Sequence, residues 1–340
     1  MINITEPSDE HAAAPSINTG SAKLSKFGRA FPWSALAPSL VFIAMLLAVS
    51  MLNSNYLGPL GISIATATAA PILFLALGQS MVLNIGSIDL SNAAIALLGS
   101  LLLALALPPM GFGAIILVLI VVTVIGAVSG AVIGYAQVPS FALTLGTLAI
   151  LQTAALVVSG ADTIYVTENR GIVSTLFEKQ IFNAPLTFWI GIVMAIFFWA
   201  VLRYTILGQN MTAMGKNELA STMSAVPTRR VRIIAYALSG FMGGLAGLSI
   251  VAQSGSASAS GLGSDLLLPG IAAALIGGTS ISGGQTNPLN VVFGGLTVGF
   301  VPIAIQAMGL GAQAQSLVYG IFIILVVALT TVRSRDAVIK

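Results

Sequence analysis

Apolar residues run along the chain in ten blocks, at about 31–52, 62–84, 93–107, 113–135, 139–159, 186–202, 231–252, 266–281, 289–308 and 315–332. A helix needs about 20 apolar residues to cross the hydrocarbon of a bilayer, so most of these blocks are long enough to span one. The third and eighth are short, and read as tilted, broken or re-entrant segments. The pattern predicts an all-α polytopic membrane protein of about ten transmembrane helices, some broken or re-entrant. Residues 1–30 are polar, long and carry three acids, which does not suit a secretory signal, so the first block reads as a retained helix.

Composition sharpens this. Of 340 residues, 57% are hydrophobic and only 7% charged, against about 25% charged in soluble domains. Such a chain cannot cover a soluble surface, which excludes a soluble enzyme, a disordered chain and a nucleic-acid binder. The 23 charged residues also cluster: six before residue 30, five between Asp162 and Lys179, six between Arg203 and Arg232, and four after Thr331, leaving Asp89 and Asp265 apart. Basic residues prefer cytoplasmic loops. Lys23, Lys26 and Arg29, the five basic residues of 203–232 and the C-terminal tail therefore face the cytoplasm, and 160–185 faces the exterior. Both termini are cytoplasmic: a disordered tail at 1–30, a membrane domain at 31–332 and a short tail at 333–340. Trp33 and Tyr204 fall at the inner interface and Tyr56 and Trp189 near the outer one. The net charge of +3 reports orientation in the membrane, not affinity for an acidic partner.

Catalytic sets are missing from the sequence. The one histidine, His11, lies in the tail and there is no cysteine, which leaves no metal cluster or Ser–His pair. Gly215-Lys216 is followed by Asn217, so no P-loop exists for ATP. The Gly277-Gly278-Thr279-Ser280-Ile281-Ser282-Gly283-Gly284 run has no lysine and reads as a broken helix end or tight inner turn. Asp89 and Asp265 each precede an apolar helix. Each is either a helix cap or a pathway residue, because an acid inside a membrane bundle is costly. Their sequence settings do not match those of intramembrane aspartyl proteases. Gly126-x-x-x-Gly130-x-x-x-Gly134, Gly240-x-x-x-Gly244 and Gly243-x-x-x-Gly247 are helix-packing stripes.

The basic loop 203–232 is the candidate partner site. Asn217–Ala225 suits a short helix, capped by Asn217 and ended by Pro227. Leu219, Met223 and Val226 share one face over about 13 Å. That face fits a groove on a neighbouring protein or anionic lipid next to Arg229, Arg230 and Arg232.

Four stretches then resemble a known family: Ile88-Asp89-Leu90-Ser91, Val138-Pro139-Ser140-Phe141 with Thr144-Leu145-Gly146-Thr147, the Gly208–Arg232 stretch, and the Ile276–Gly284 turn. In this order and spacing they are similar to the ribose/xylose/arabinose-type permease subunits of bacterial ABC importers, over about residues 35–332. Departures occur at Gly86-Ser87, Asn92-Ala93, Ala225-Val226 and Gln285-Thr286-Asn287, and they weaken any assignment of a particular sugar. The resemblance implies a non-enzymatic half-transporter in the bacterial inner membrane. It would pair with a second permease subunit, a cytosolic ABC ATPase that binds ATP and Mg, and a periplasmic binding protein delivering a monosaccharide or polyol. It implies ATPase coupling through Gly208, Ala213, Gly215, Asn217, Glu218, Leu219, Ala220 and Met223. Candidates for the path are Asp89, Ser91, Asn92, Phe141, Thr144, Thr147 and Asp265, with Gln79, Ser80, Asn84, Gln152 and Thr153 as further polar groups. Gly277, Gly278, Thr279, Gly283 and Gly284 form the helix break. Two other readings remain open: an autonomous secondary transporter or channel using Asp89 and Asp265, and an amino-acid-type ABC permease.

Overall fold

A computed structural model describes residues 33–52, 57–260, 265–311 and 313–330. The two tails and Tyr56 lie outside the described residues, as does the side chain of Trp33. The helices are α1 (Trp33–Leu52), α2 (Pro59–Asn84), α3 (Asn92–Met110), α4 (Phe112–Ala136), α5 (Ser140–Ser159), α6 (Arg170–Glu178), α7 (Leu186–Tyr204), α8 (Ile206–Lys216), α9 (Glu218–Met223), α10 (Thr228–Ser254), α11 (Leu267–Ile276), α12 (Pro288–Ala307) and α13 (Ala314–Thr330). Four two-residue strands, β1 (Ile164–Tyr165), β2 (Gln180–Ile181), β3 (Ala184–Pro185) and β4 (Ser256–Ala257), complete the described elements.

Among the described residues, α2, α3, α4, α5, α7, α10 and α12 are long and apolar enough to cross a membrane. The eighth block is as short as expected: α11 has 10 residues, about 15 Å at 1.5 Å per residue and half the hydrocarbon thickness. The third block is longer than expected, because α3 runs 19 residues through Pro108 and Pro109 to Met110. Two of its last-turn carbonyls, groups a helix does not fully satisfy itself, are bonded from outside the helix. Asn169 Nδ2 donates to Leu107 O at 3.2 Å and Pro108 O at 2.9 Å.

α10 sits at the centre, packed against α2, α3 and α4. The glycine stripes set these crossings. A Cβ on Gly126 would stand 2.2 Å from Tyr236 O, and one on Gly240 2.4 Å from Val122 O, so α4 and α10 touch backbone to backbone. Lipid supplies no hydrophobic drive between helices, and such close approach gains dispersion contact instead. The buried share of the most apolar window is 72% in α2 and α10 but 17% in α5. α5 therefore lies on the outside of this bundle.

The two ends differ. At one end the α3–α4 turn, 160–185 and the end of α10 meet: β1 pairs antiparallel with β4, and Arg170 packs over Gly255. The 160–185 segment is thus an ordered cap with its own helix α6 and the β2–β3 hairpin. Trp189 is tied there, its Nε1 donating to Ile181 O at 3.0 Å. The opposite end gathers the α2–α3 connection, the α4–α5 turn, α8, α9 and the turn after α11.

Candidate functional site

The end that carries α8 and α9 is built around Gly215. A Cβ there would lie 1.9 Å from Asn84 O and 2.4 Å from Gly284 N, so only glycine fits. Gly284 N also donates to Asn84 O at 2.9 Å. Three segments distant in sequence thus lock at one point: the end of α2, the end of α8 and the turn after α11. That segment is a tight turn, as one of its two sequence readings has it. Gly278, Gly283 and Gly284 take φ of 83°, 88° and 71°, a region that favours glycine. Thr279 and Thr286 hydroxyls bond at 2.8 Å, and Gly277 closes α11 against Val291. Gly208 packs against the backbone of Leu202 where α7 bends into α8, and Thr205 Oγ1 accepts from its N–H at 3.1 Å. Ala213 O accepts the Asn217 N–H at the end of α8.

α9 begins as the sequence suggests, with Asn217 Oδ1 accepting from Ala220 N at 2.9 Å. It ends sooner. The helix stops at Met223 and Ala225 turns to φ 60°, so the left-handed residue ends it and Pro227 instead precedes α10. Leu219 and Met223 are 68% and 79% exposed, while Val226 packs on the core. Arg232 departs from the expected basic surface. It is buried and bonds Glu218 across the α9–α10 turn. Arg229 stays outside and lies 5.3 Å over the Tyr135 ring. A polar cavity of about 320 Å³, lined by Ser87, Gln137, Ser140, Glu218 and Arg232, opens beside this ion pair.

Deeper in the bundle, Asp89 is fully buried in the α2–α3 connection. Its Oδ1 accepts from Ser91 N at 2.9 Å and Ser91 Oγ at 2.6 Å, and its Oδ2 from Ser239 Oγ at 2.7 Å. The residue before α3 is Ser91, not Asp89, so the carboxylate holds the approach to the helix from two positions away and also ties it to α10. Tyr236 Oη donates to Ile88 O at 3.1 Å. Asn92 Nδ2 donates to Leu75 O at 3.2 Å, while Asn92 Oδ1 and Gln79 Nε2 have no partner within the described chain. Both residues line a space of about 10 Å³ beside Asp89, room for about one water molecule.

Asp265 behaves differently. It is exposed, and the residue preceding α11 is Leu266, with no side-chain cap bond, so of the two roles open for Asp265 the helix cap is not the one seen. The other path candidates divide in two. Gln79, Ser80, Asn84, Ser91 and Asn92 are buried among α2, α3 and α10. On α5, Phe141, Gln152 and Thr153 are exposed and Gly146 faces open space. Thr147 and Thr153 hydroxyls return to their own helix, to Leu143 O and Ala149 O. Thr144 is buried and bonds Ser140 O at 2.9 Å, with Ile88 O at 3.4 Å. Sequence reasoning missed Tyr236 and Ser239 and placed Arg232 on the basic surface. Their spacing of four and three residues places them on one face of α10, but nothing local marks what that face meets.

A family model described as the permease component of a branched-chain amino acid transport system matches residues 61–327. The ribose import permease protein RbsC of Haemophilus influenzae is 26% identical over 294 residues, 85% of this chain and 90% of that protein. RbsC of Escherichia coli K12 is 27% identical, over 87% of this chain and 93% of its own length. The autoinducer 2 import system permease protein LsrD of Yersinia enterocolitica is 31% identical over 307 residues, 88% of this chain and 92% of that protein. No solved structure matches the chain. With membrane-length helices and a match that takes in every one of them almost from end to end, the chain belongs to this family of transport-system permease components, as an integral membrane protein and not an enzyme.

Proposed function

We propose that the chain is the path-forming subunit of a binding-protein-dependent ABC importer in a bacterial inner membrane, carrying a monosaccharide or polyol. The observation that supports this is the pairing of relatives named for ribose and autoinducer 2 import with an end that carries exposed apolar side chains outside the long helices. There α9 presents Leu219 and Met223 to the outside, directly beside the Gly215 junction. Positive charge on 203–232 puts that end and both termini in the cytoplasm, and the 160–185 cap at the exterior, facing a periplasmic binding protein. Adding α1, α13 and the half-length α11, which enters the bilayer without crossing it by itself, to the seven longer helices gives ten membrane segments. ATP and Mg belong to a separate cytosolic ATPase. A second permease copy, homodimeric in the simplest arrangement, meets α5, where Gly146 admits a close backbone and Gln152 and Thr153 offer uncharged polar groups to a polyhydroxy solute.

Reconstitution tests this. Liposomes holding the chain with its co-encoded ATPase and binding protein are expected to accumulate sugar only with ATP, and the binding protein to bind a sugar in a ligand screen. Uptake without any ATPase, or a binding protein that takes only branched-chain amino acids, sinks the reading. A second expectation concerns α9. Leu219→Ser with Met223→Ser removes exposed apolar anchors, each worth about 1–2 kcal/mol at an interface. Copurification of the ATPase is expected to fall about tenfold or more, with the melting temperature of the permease unchanged.

A further inference from the structure

We infer that Arg232, Tyr236 and Ser239 form a positioning face on α10 that links α9 to the Asp89 segment. The inference rests on the importer reading above. The three residues recur at i, i+4 and i+7, one stripe of the helix. The first bonds Glu218 at the start of α9. The second donates to Ile88 O at 3.1 Å and the third to Asp89 Oδ2 at 2.7 Å. A displacement of α9 therefore reaches residues 88–91 through one rigid helix, with no soft element between.

The Arg232 end has one partner and a polar cavity beside it. Its side chain is 7% exposed and Glu218 is its partner, while Nε has none within the described chain. A buried guanidinium left without partners is costly. Beside it, however, the cavity of about 320 Å³ offers Ser87, Gln137 and Ser140. Arg232 can leave Glu218 when α9 moves and be received by groups of the α2–α3 and α4–α5 connections. Two discrete arrangements of one buried cation are what a coupling element requires. The hydroxyl contacts of Tyr236 and Ser239 lie further along the same face and carry the change on to Ile88 and Asp89.

The test is the ratio of solute taken up to ATP hydrolysed by the reconstituted complex, for Tyr236→Phe, Arg232→Gln, Glu218→Gln and the Arg232→Gln/Glu218→Gln pair. Tyr236→Phe keeps the ring and removes one hydroxyl, and is expected to lower the ratio about fivefold. The two charge variants are each expected to lower it, and their combination to be no worse than the worse single, the non-additivity of a shared link. Additive losses, or Tyr236→Phe with an unchanged ratio, overturn the inference. Wild-type uptake is measured in parallel, so failure of the importer reading shows there and failure of the link shows only in the variants. A second measurement needs no transport: amide exchange over residues 86–92 in the purified chain is expected to speed up in Tyr236→Phe. Unchanged exchange overturns the link as well.

Discussion

Gly215→Ala is expected to abolish uptake and lower the melting temperature by several degrees. Overpacking costs about 1–3 kcal/mol where neighbouring side chains can give way. Here the obstruction is backbone: Asn84 O at 1.9 Å and Gly284 N at 2.4 Å from the new methyl. Relief requires α8 to move away from the end of α2 and from the turn after α11 together. The Gly284–Asn84 hydrogen bond lies in the same contact and is strained with it. Gly171→Ala is the control, since a Cβ there meets nothing within 4 Å, and it is expected to behave as wild type. Thermal unfolding and uptake of both variants decide the matter. A Gly215→Ala protein with wild-type stability and transport would show that the junction is not as tight as described.

Asp89→Ala carries the second large effect, on stability. The carboxylate takes three donors, two from Ser91 and one from Ser239, with no exposure to solvent. Removing it strands three buried donors, each costing about 1–3 kcal/mol when unpaired. A loss of about 3–5 kcal/mol is expected, a large share of the roughly 5–15 kcal/mol that holds a domain folded. Asp89→Asn keeps the shape, and the serine hydroxyls can rotate to accept its amide, so a smaller loss of about 1–2 kcal/mol is expected. Asp265→Asn is expected to stay within about 0.5 kcal/mol, as an exposed side chain with no cap bond. Equal melting temperatures for wild type and Asp89→Ala would remove the structural role of the carboxylate. The pair also bears on an ion-coupled mechanism, because the two aspartates sit in unlike surroundings, one enclosed by hydroxyls and one exposed.

The sequence showed where each apolar helix lies, because length and hydropathy follow directly from the cost of exposing backbone and charge to lipid. It also showed the glycine stripes, the α9 cap at Asn217 and the glycine turn at 277–284, all of which depend on neighbours a few residues apart. The end of α9 was misplaced, since Ala225 has no sequence mark of a left-handed residue. The basic cluster 229–232 looked uniform, yet tertiary contact divides it: Arg229 stays on the surface and Arg232 is buried against Glu218.

By itself, then, the sequence determined membrane class, helix positions, the place of the longest basic loop and the absence of ATP-binding and catalytic motifs. Each of these is a local sum over composition or short-range spacing. Only the tertiary structure decided that Gly215, Asn84 and Gly284 share one contact, that Asp89 is held by Ser239 150 residues away, and that Asp265 is not its counterpart. Those facts depend on which helix faces cross, and in a bundle where nearly every face is apolar the hydrophobic pattern does not select them. Backbone clearance at a few glycines and the need to satisfy a few buried polar groups do.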